Sequence, residues 1–217
     1  MNNNPYNHPE KTRAEQTRNL MDDVRSNPDL AACKLIKGNQ FDRLEGLDPV
    51  FEFAPGRRIL DLGCHRGMIG YEFARRGATV IHGFDLYAPG ISAAKEIFAD
   101  IPVESRFETA DLALGRTAFL HQFGDMLLPR YEVVLLLSIL QHLRRQMERR
   151  DVIDFLDFVL DRTAEYLVLR MPNHQRIEDH ILDKGFELVY LNALQHTLSP
   201  VAVYRRRGTE NAPEPSG

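Results

Sequence analysis

From residue 57 onward, short apolar runs alternate with longer stretches whose apolar residues recur three or four positions apart. The runs predict strands at residues 58–62, 79–84, 102–108, 132–138, 165–170, 186–192 and 198–205. The stretches between them predict helices at 68–76, 90–99, 115–123, 146–161 and 174–184. Apolar runs of this length suit buried strands, and a 3.6-residue recurrence suits a helix with one face on a core. The VVLLL of residues 133–137 lacks polar alternation, as a central strand covered on both faces should. Strands alternating with helices predict a mostly parallel seven-stranded sheet with helices on both faces, an α/β fold. Only NALQHTLSP separates the last two strands, too little for a crossover, so they must pair antiparallel as a hairpin at one sheet edge.

Upstream of residue 57 the pattern is weaker. Residues 1–10 are rich in Asn and Pro, and residues 11–26 carry only the narrow stripe Leu20, Met21 and Val24, which predicts a surface helix ended near Asn27 and Pro28. LAACKLIKG predicts a second short helix stopped by Gly38. The tail GTENAPEPSG has the composition of a disordered segment. The expected organisation is an N-terminal helical extension over 1–50, a core domain over 51–207 and a disordered tail over 208–217.

Composition narrows the function classes. With 217 residues, 43% hydrophobic and 27% charged, the chain reads as one soluble domain with extensions. A net charge of −4 supplies no electrostatic reason to expect nucleic acid. Cys33 and Cys64 are too few for a disulfide framework or a zinc cluster. No Asp, Glu and His cluster at ligand spacing points to a metal. The N-terminal residues lack the apolar core of a signal peptide, and no apolar run approaches bilayer length, so a cytoplasmic protein without a membrane span is expected.

The chemistry concentrates in ILDLGCHRG, residues 59–67. In an open α/β sheet, ligands sit beyond the carboxyl ends of the strands where strand order reverses. The turn after Asp61 should lie there, with Gly63 and Gly67 permitting close backbone approach and the next helix offering unpaired N–H groups. No Lys-Ser or Lys-Thr follows these glycines, which rejects a P-loop. A dinucleotide fingerprint counted from Gly63 would need glycines where His65 and Met68 stand. Asp61 would repel a pyrophosphate and suits a ligand that is cationic nearby. Cys64 reads as a small residue of the turn.

ILDLGCHRG resembles the first motif of class I S-adenosylmethionine-dependent methyltransferases, roughly hhDhGxGxG. VIHGFDL (80–86), FETADLA (107–113) and YEVVLLLSILQHL (131–143) resemble the next three motifs, in order and at normal spacing. The resemblance covers about residues 57–145, and the later strands also fit. It implies a Rossmann-like domain that binds S-adenosylmethionine and releases S-adenosylhomocysteine. Asp61, Gly63, Cys64, His65 and Gly67 would then surround the methionine portion. Asp85 would accept from both ribose hydroxyls, and Leu86 would pack on adenine. Asp111 and the N–H of Leu112 would meet the adenine amino edge, and Ser138 would line the cofactor floor. Gln40 and Arg43 in KGNQFDR are candidates to reach the cofactor carboxylate from an N-terminal lid. His65 departs from the pattern at its middle glycine.

His142 and His174 follow the fourth and fifth strands and are the candidate general bases, His142 first, because a pKa near ~6.5 suits proton transfer near neutrality. Arg170 can either hold an anionic substrate or form a structural salt bridge. The run RRQMERR reads as a solvated face. The resemblance therefore implies a methyltransferase acting on an O or N atom of a small-molecule or glycan-like acceptor. The competing readings are a tRNA or protein methyltransferase and a non-catalytic cofactor-binding module. The absence of an NPPY-like motif after the fourth strand weighs against amide or base methylation.

Overall fold

The computed structural model describes residue 44, residues 46–192 and residues 199–209. Most of the expected N-terminal extension and tail, with Gln40 and Arg43, lies outside them. Seven strands form one sheet: β1 (Arg58–Leu62), β2 (Val80–Asp85), β3 (Glu104–Thr109), β4 (Tyr131–Leu137), β5 (Thr163–Arg170), β6 (Phe186–Asn192) and β7 (Val201–Arg206). Their order is β3-β2-β1-β4-β5-β7-β6. The first five run parallel, whereas β7 lies antiparallel to both β5 and β6. The terminal hairpin is present, and its second strand is the inner one.

Among the described residues the helices are α1 (Asp48–Phe51), α2 (Met68–Arg75), α3 (Ala88–Phe98), α4 (Gly115–Phe123), α5 (Leu140–Gln146), α6 (Arg149–Arg162) and α7 (Gln175–Asp183). The sheet divides the core in two. Ile59, Ile81, Leu135 and Val168 face one side with α2 and α3, together with Val50 and Phe51 of α1. Leu60, Phe84, Val134 and Leu167 face the other with α4 and α6. Alternate residues of each strand enter opposite cores, as a two-residue side-chain period requires. That is why residues 133–137 of β4 need no polar position.

Several boundaries differ from the sequence reading, two of them with a clear physical cause. β3 begins at Glu104, two residues later than expected, because Pro102 lacks the N–H a ladder needs. The helix expected over 146–161 is α6 and begins at Arg149; a short helix that was not expected, α5, precedes it, with Met147 and Glu148 extended between them. A continuous helix would stack Arg145 over Arg149, a like-charge pair at i,i+4. The break separates them, and Met147 packs against the α6-side core.

The chain leaves β1 outward to β2 and β3, then returns to β4 on the other side of β1. The loops after β1 and β4 therefore meet at the point where strand order reverses.

Candidate functional site

β1 delivers Asp61, 1% exposed, in register with Gly83 of β2 and Leu135 of β4. The glycine turn follows. Gly63 has φ +93°, and a Cβ there would lie 2.2 Å from the Ile139 side chain. The space made by that glycine is thus filled by the residue after β4, which locks the two switch-point loops together. Gly67 has φ +73°, and a Cβ would press on Ala94 at 3.0 Å and on Phe107 and Phe98 at 3.3 Å. His65 occupies the middle glycine position of the motif and takes the left-handed backbone a glycine would, at φ +51°. The sequence departs from the pattern there, but the backbone does not.

Asp85 closes β2 half-buried, and backbone donors organise its carboxylate. The His65 N–H donates to Oδ2 and the Tyr87 N–H donates to Oδ1, each at 2.8 Å. A carboxylate offers about four lone-pair sites, so two acceptor positions remain. Leu86, beside it, is a large apolar side chain left 63% exposed. Asp111 caps the 3₁₀ turn Leu112–Leu114 by accepting the Ala113 N–H at 2.9 Å on Oδ1; Leu112 is buried. Cys64 is buried, and burial, with Asp61 and Asp85 nearby, pushes its thiol well up, away from nucleophilic chemistry.

On the β4 and β5 side, Ser138 is held at φ +62° and its N–H donates to the Arg170 carbonyl at 2.7 Å. Arg170 closes β5 at 3% exposure. Asn173 adds a third left-handed residue, at φ +54°. Among the described residues, His65, Ser138 and Asn173 are the non-glycine positions with positive φ, and they follow β1, β4 and β5 respectively. Backbone of this kind costs of order 1–3 kcal/mol per residue and gathers at ligand sites.

The two candidate bases differ. His142 lies exposed on α5, whereas His174, preceding α7, is 3% exposed and its Nδ1 has no hydrogen-bond partner among the described residues. Gln40 and Arg43 lie outside the described residues. Tyr87, Ile139 and Asn173 were not singled out from sequence. Tyr87 alone carried a signal, standing two residues after Asp85 and just before a helix that opens with Ala-Pro.

A cleft of about 470 Å³ lies beside this edge, between Leu114 and Arg116 on one wall and Arg145, Met147 and Glu148 on the other. It flanks the loop after Asp111 and includes none of Asp61, Gly63 or Asp85. Of the exposed arginines of RRQMERR, Arg145 lines it, and Arg150 lies against Asp151 at 3.4 Å.

Three carboxylates at the carboxyl ends of β1, β2 and β3 suit a ligand bringing hydroxyls, an amino edge and positive charge, and they disfavour a pyrophosphate. The acceptor set fits S-adenosylmethionine.

No family model matches the chain. A stretch of 87 residues is 32% identical to a ubiquinone biosynthesis O-methyltransferase of Alkalilimnicola ehrlichii, covering 40% of this chain and 32% of that one. The match thus spans about a third of the length of that relative. Among solved structures, magnesium protoporphyrin IX methyltransferase from Synechocystis PCC 6803 with bound S-adenosylmethionine aligns over 88% of this chain and 97% of its own, with TM-score 0.59 and 18% identity. The 16S rRNA methylase RmtB aligns over 89% and 75%, with TM-score 0.64 and 14% identity. The bifunctional kinase-methyltransferase WbdD aligns over 86% and 45%, with TM-score 0.58 and 18% identity. With its sheet order, its switch-point loops and its carboxylates at the ends of β1 to β3, the chain has the fold of the class I S-adenosylmethionine-dependent methyltransferases.

Proposed function

We propose that this protein is an S-adenosylmethionine-dependent methyltransferase that methylates an O or N atom of a small-molecule or glycan-like acceptor. The observation that carries the reading is the convergence of Asp61, Asp85 and Asp111 with three left-handed non-glycine residues on one edge of the sheet. The partial match to an O-methyltransferase supports oxygen as the atom methylated. The likeness to a 16S rRNA methylase keeps RNA among the acceptors to be tested.

When bound, S-adenosylmethionine supplies a methyl group already activated on a sulfonium. The protein's task is then orientation, which can supply ~7–11 kcal/mol of the barrier. Asp85 accepts the ribose hydroxyls on the two acceptor positions its backbone donors leave open. Leu86 covers one adenine face, and Asp111 with the Leu112 N–H reads the adenine edge. Asp61 and the 63–67 turn, Cys64 and His65 included, surround the methionine portion, and Ser138 forms the floor. Gln40 and Arg43, outside the described residues, are the candidates from the proposed N-terminal lid of residues 1–50 to bind the cofactor carboxylate. A hydroxyl acceptor loses its proton as an oxygen lone pair takes the methyl group, whereas an ammonium must lose a proton first to free its lone pair. His174 Nδ1, buried and without a hydrogen bond among the described residues, is the first candidate to receive it, with His142 the second.

Calorimetric titration with S-adenosylmethionine and S-adenosylhomocysteine tests the cofactor. Micromolar binding is expected, weakened about 100-fold in Asp85→Ala, the loss of two hydrogen bonds to a charged group. No binding by the folded wild-type protein would defeat the reading. Binding without methyl release across a broad panel of acceptors would favour the non-catalytic module.

A further inference from the structure

His65 replaces a motif glycine yet keeps its left-handed backbone, and its ring has a partner. The His65 imidazole and the Tyr87 ring stack with centroids 5.2 Å apart and planes 16° from parallel. The same two residues donate their N–H groups to the two oxygens of Asp85. Gly90, in the first turn of α3, completes the corner: a Cβ there would lie 2.7 Å from Tyr87 Cδ1 and 2.8 Å from the His65 carbonyl oxygen. Residues from the loop after β1, the end of β2 and the start of α3 are therefore interlocked around one carboxylate.

A carboxylate on a terminal torsion rotates easily, because that torsion is broad and roughly two-fold. Two N–H donors can fix its plane only if the residues carrying them are themselves fixed. A glycine at position 65 would offer the same N–H but would visit many other backbone conformations. The ring stack and the bare Gly90 supply the restraint that glycine lacks. With one lone pair of each oxygen committed, the two remaining acceptor sites form a fixed pair, which matches the two donors of a vicinal diol.

We propose that the stacked His65–Tyr87 pair is a positioning device that presets Asp85 for a ribose diol, making both residues determinants of ribose-dependent binding. The inference rests on the cofactor reading above and adds to it how this chain works with a histidine where the motif has glycine. Neither residue need touch the reacting atoms.

The test uses the full chain and a pair of probes, adenosine and 2′,3′-dideoxyadenosine, each displaced against S-adenosylhomocysteine. In the wild type, adenosine should bind about 100-fold tighter than the dideoxynucleoside, the value of two hydrogen bonds to a charged group. In His65→Gly and Tyr87→Ala that preference should fall about three- to tenfold, while dideoxynucleoside affinity stays within about twofold. Tyr87→Phe, which keeps the stack, should behave as wild type. His65→Asn, which tolerates the left-handed backbone but has no ring, should behave as His65→Gly. The double variant His65→Gly/Tyr87→Ala should be no worse than either single one, since both remove the same stack. An unchanged preference in both single variants, or equal weakening of both nucleosides, would overturn the proposal. Failure of the wild type to bind S-adenosylhomocysteine would overturn the cofactor reading itself and be visible before any variant is made.

Discussion

At the amino end of the strands, most polar groups answer one another, although the buried His82 Nε2 has no hydrogen bond among the described residues. Arg57 meets Glu165 at 2.9 Å, Glu132 receives both the side chain and the backbone N–H of Arg58, and His82 Nδ1 lies 2.7 Å from the Tyr131 hydroxyl. That hydroxyl also accepts the Leu128 N–H at 2.9 Å. At the carboxyl end, Asp85 is held by backbone donors with acceptor capacity in reserve, and His174 Nδ1 and Gln141 Oε1 are buried without hydrogen bonds among the described residues. The left-handed non-glycine residues are at this end too. Buried polar groups in folded proteins are ordinarily satisfied, so each that is not calls for a water, an ion or a ligand. One end of the sheet serves stability, and the other holds strain and open valence for a ligand. Variants at the amino end should therefore alter unfolding and leave cofactor affinity alone.

The sharpest test of that division is pH. His82 is 1% exposed, and burial, assisted by Arg106, lowers its pKa to about 4. An unfolded histidine titrates near ~6.5. Between these values the unfolded chain binds a proton that the native protein refuses, so stability falls as pH drops. The contribution is complete above about pH 6.5 and is lost progressively down to about pH 4, a change of about 3 kcal/mol. Urea unfolding at pH 7, 5.5 and 4 should show this slope. His82→Gln, whose amide can still bond Tyr131, should flatten it. An identical slope in the variant would mean that surface carboxylates, not His82, set the acid limit.

Tyr131→Phe probes the same contact without a change of pH. Burial pushes the Tyr131 hydroxyl up to about 12, so it stays protonated and available for hydrogen bonding. Its removal strands a buried imidazole nitrogen and the Leu128 N–H. The expected loss is about 2 kcal/mol in urea unfolding, the usual scale for unsatisfied buried groups, with S-adenosylhomocysteine affinity unchanged within error. A change in affinity would show that the two ends of the sheet are coupled.

The same contrast explains how much could be read from the sequence. The strands were legible because apolar runs such as VVLLL are dictated by burial on two faces. Asp61, Asp85 and Asp111 were legible because each stands at or just past the end of a strand at motif spacing. The short helix α5 was missed, and the gap before α6 lies between arginines that look like ordinary surface charge. The conformation of His65 was hidden because the residue type disfavours it, and only its contacts with Asp85 and Tyr87 show what holds it. Ile139 could not be found at all from sequence, since its role is to fill the space over a glycine 76 positions earlier. Local pattern encodes elements and their ends, whereas strain and cross-loop packing are set by tertiary contacts that carry no short-range signature.

The smallest expected effect sits at the pair Arg58 and Glu132. Burial alone would raise the Glu132 pKa, but the Arg58 side chain and N–H outweigh it and hold it below the usual carboxylate value. The carboxylate therefore favours the folded state above its unfolded pKa, and that contribution is lost as pH falls toward the lowered native value. The Arg58 side chain is 38% exposed, so solvent screening limits the ion pair. Glu132→Gln keeps an oxygen for the Arg58 N–H and removes the charge, and should cost about 1 kcal/mol or less. The loss should shrink further in 1 M salt, where the screening length falls to ~3 Å. Glu132→Ala also abandons the backbone N–H and should cost about 1 kcal/mol more, insensitive to salt. If the glutamine and alanine variants are equally destabilised, the charge rather than the hydrogen bond anchors β1 to β4 at this end. The amino end would then depend on ionic strength as well as on buried hydrogen bonds.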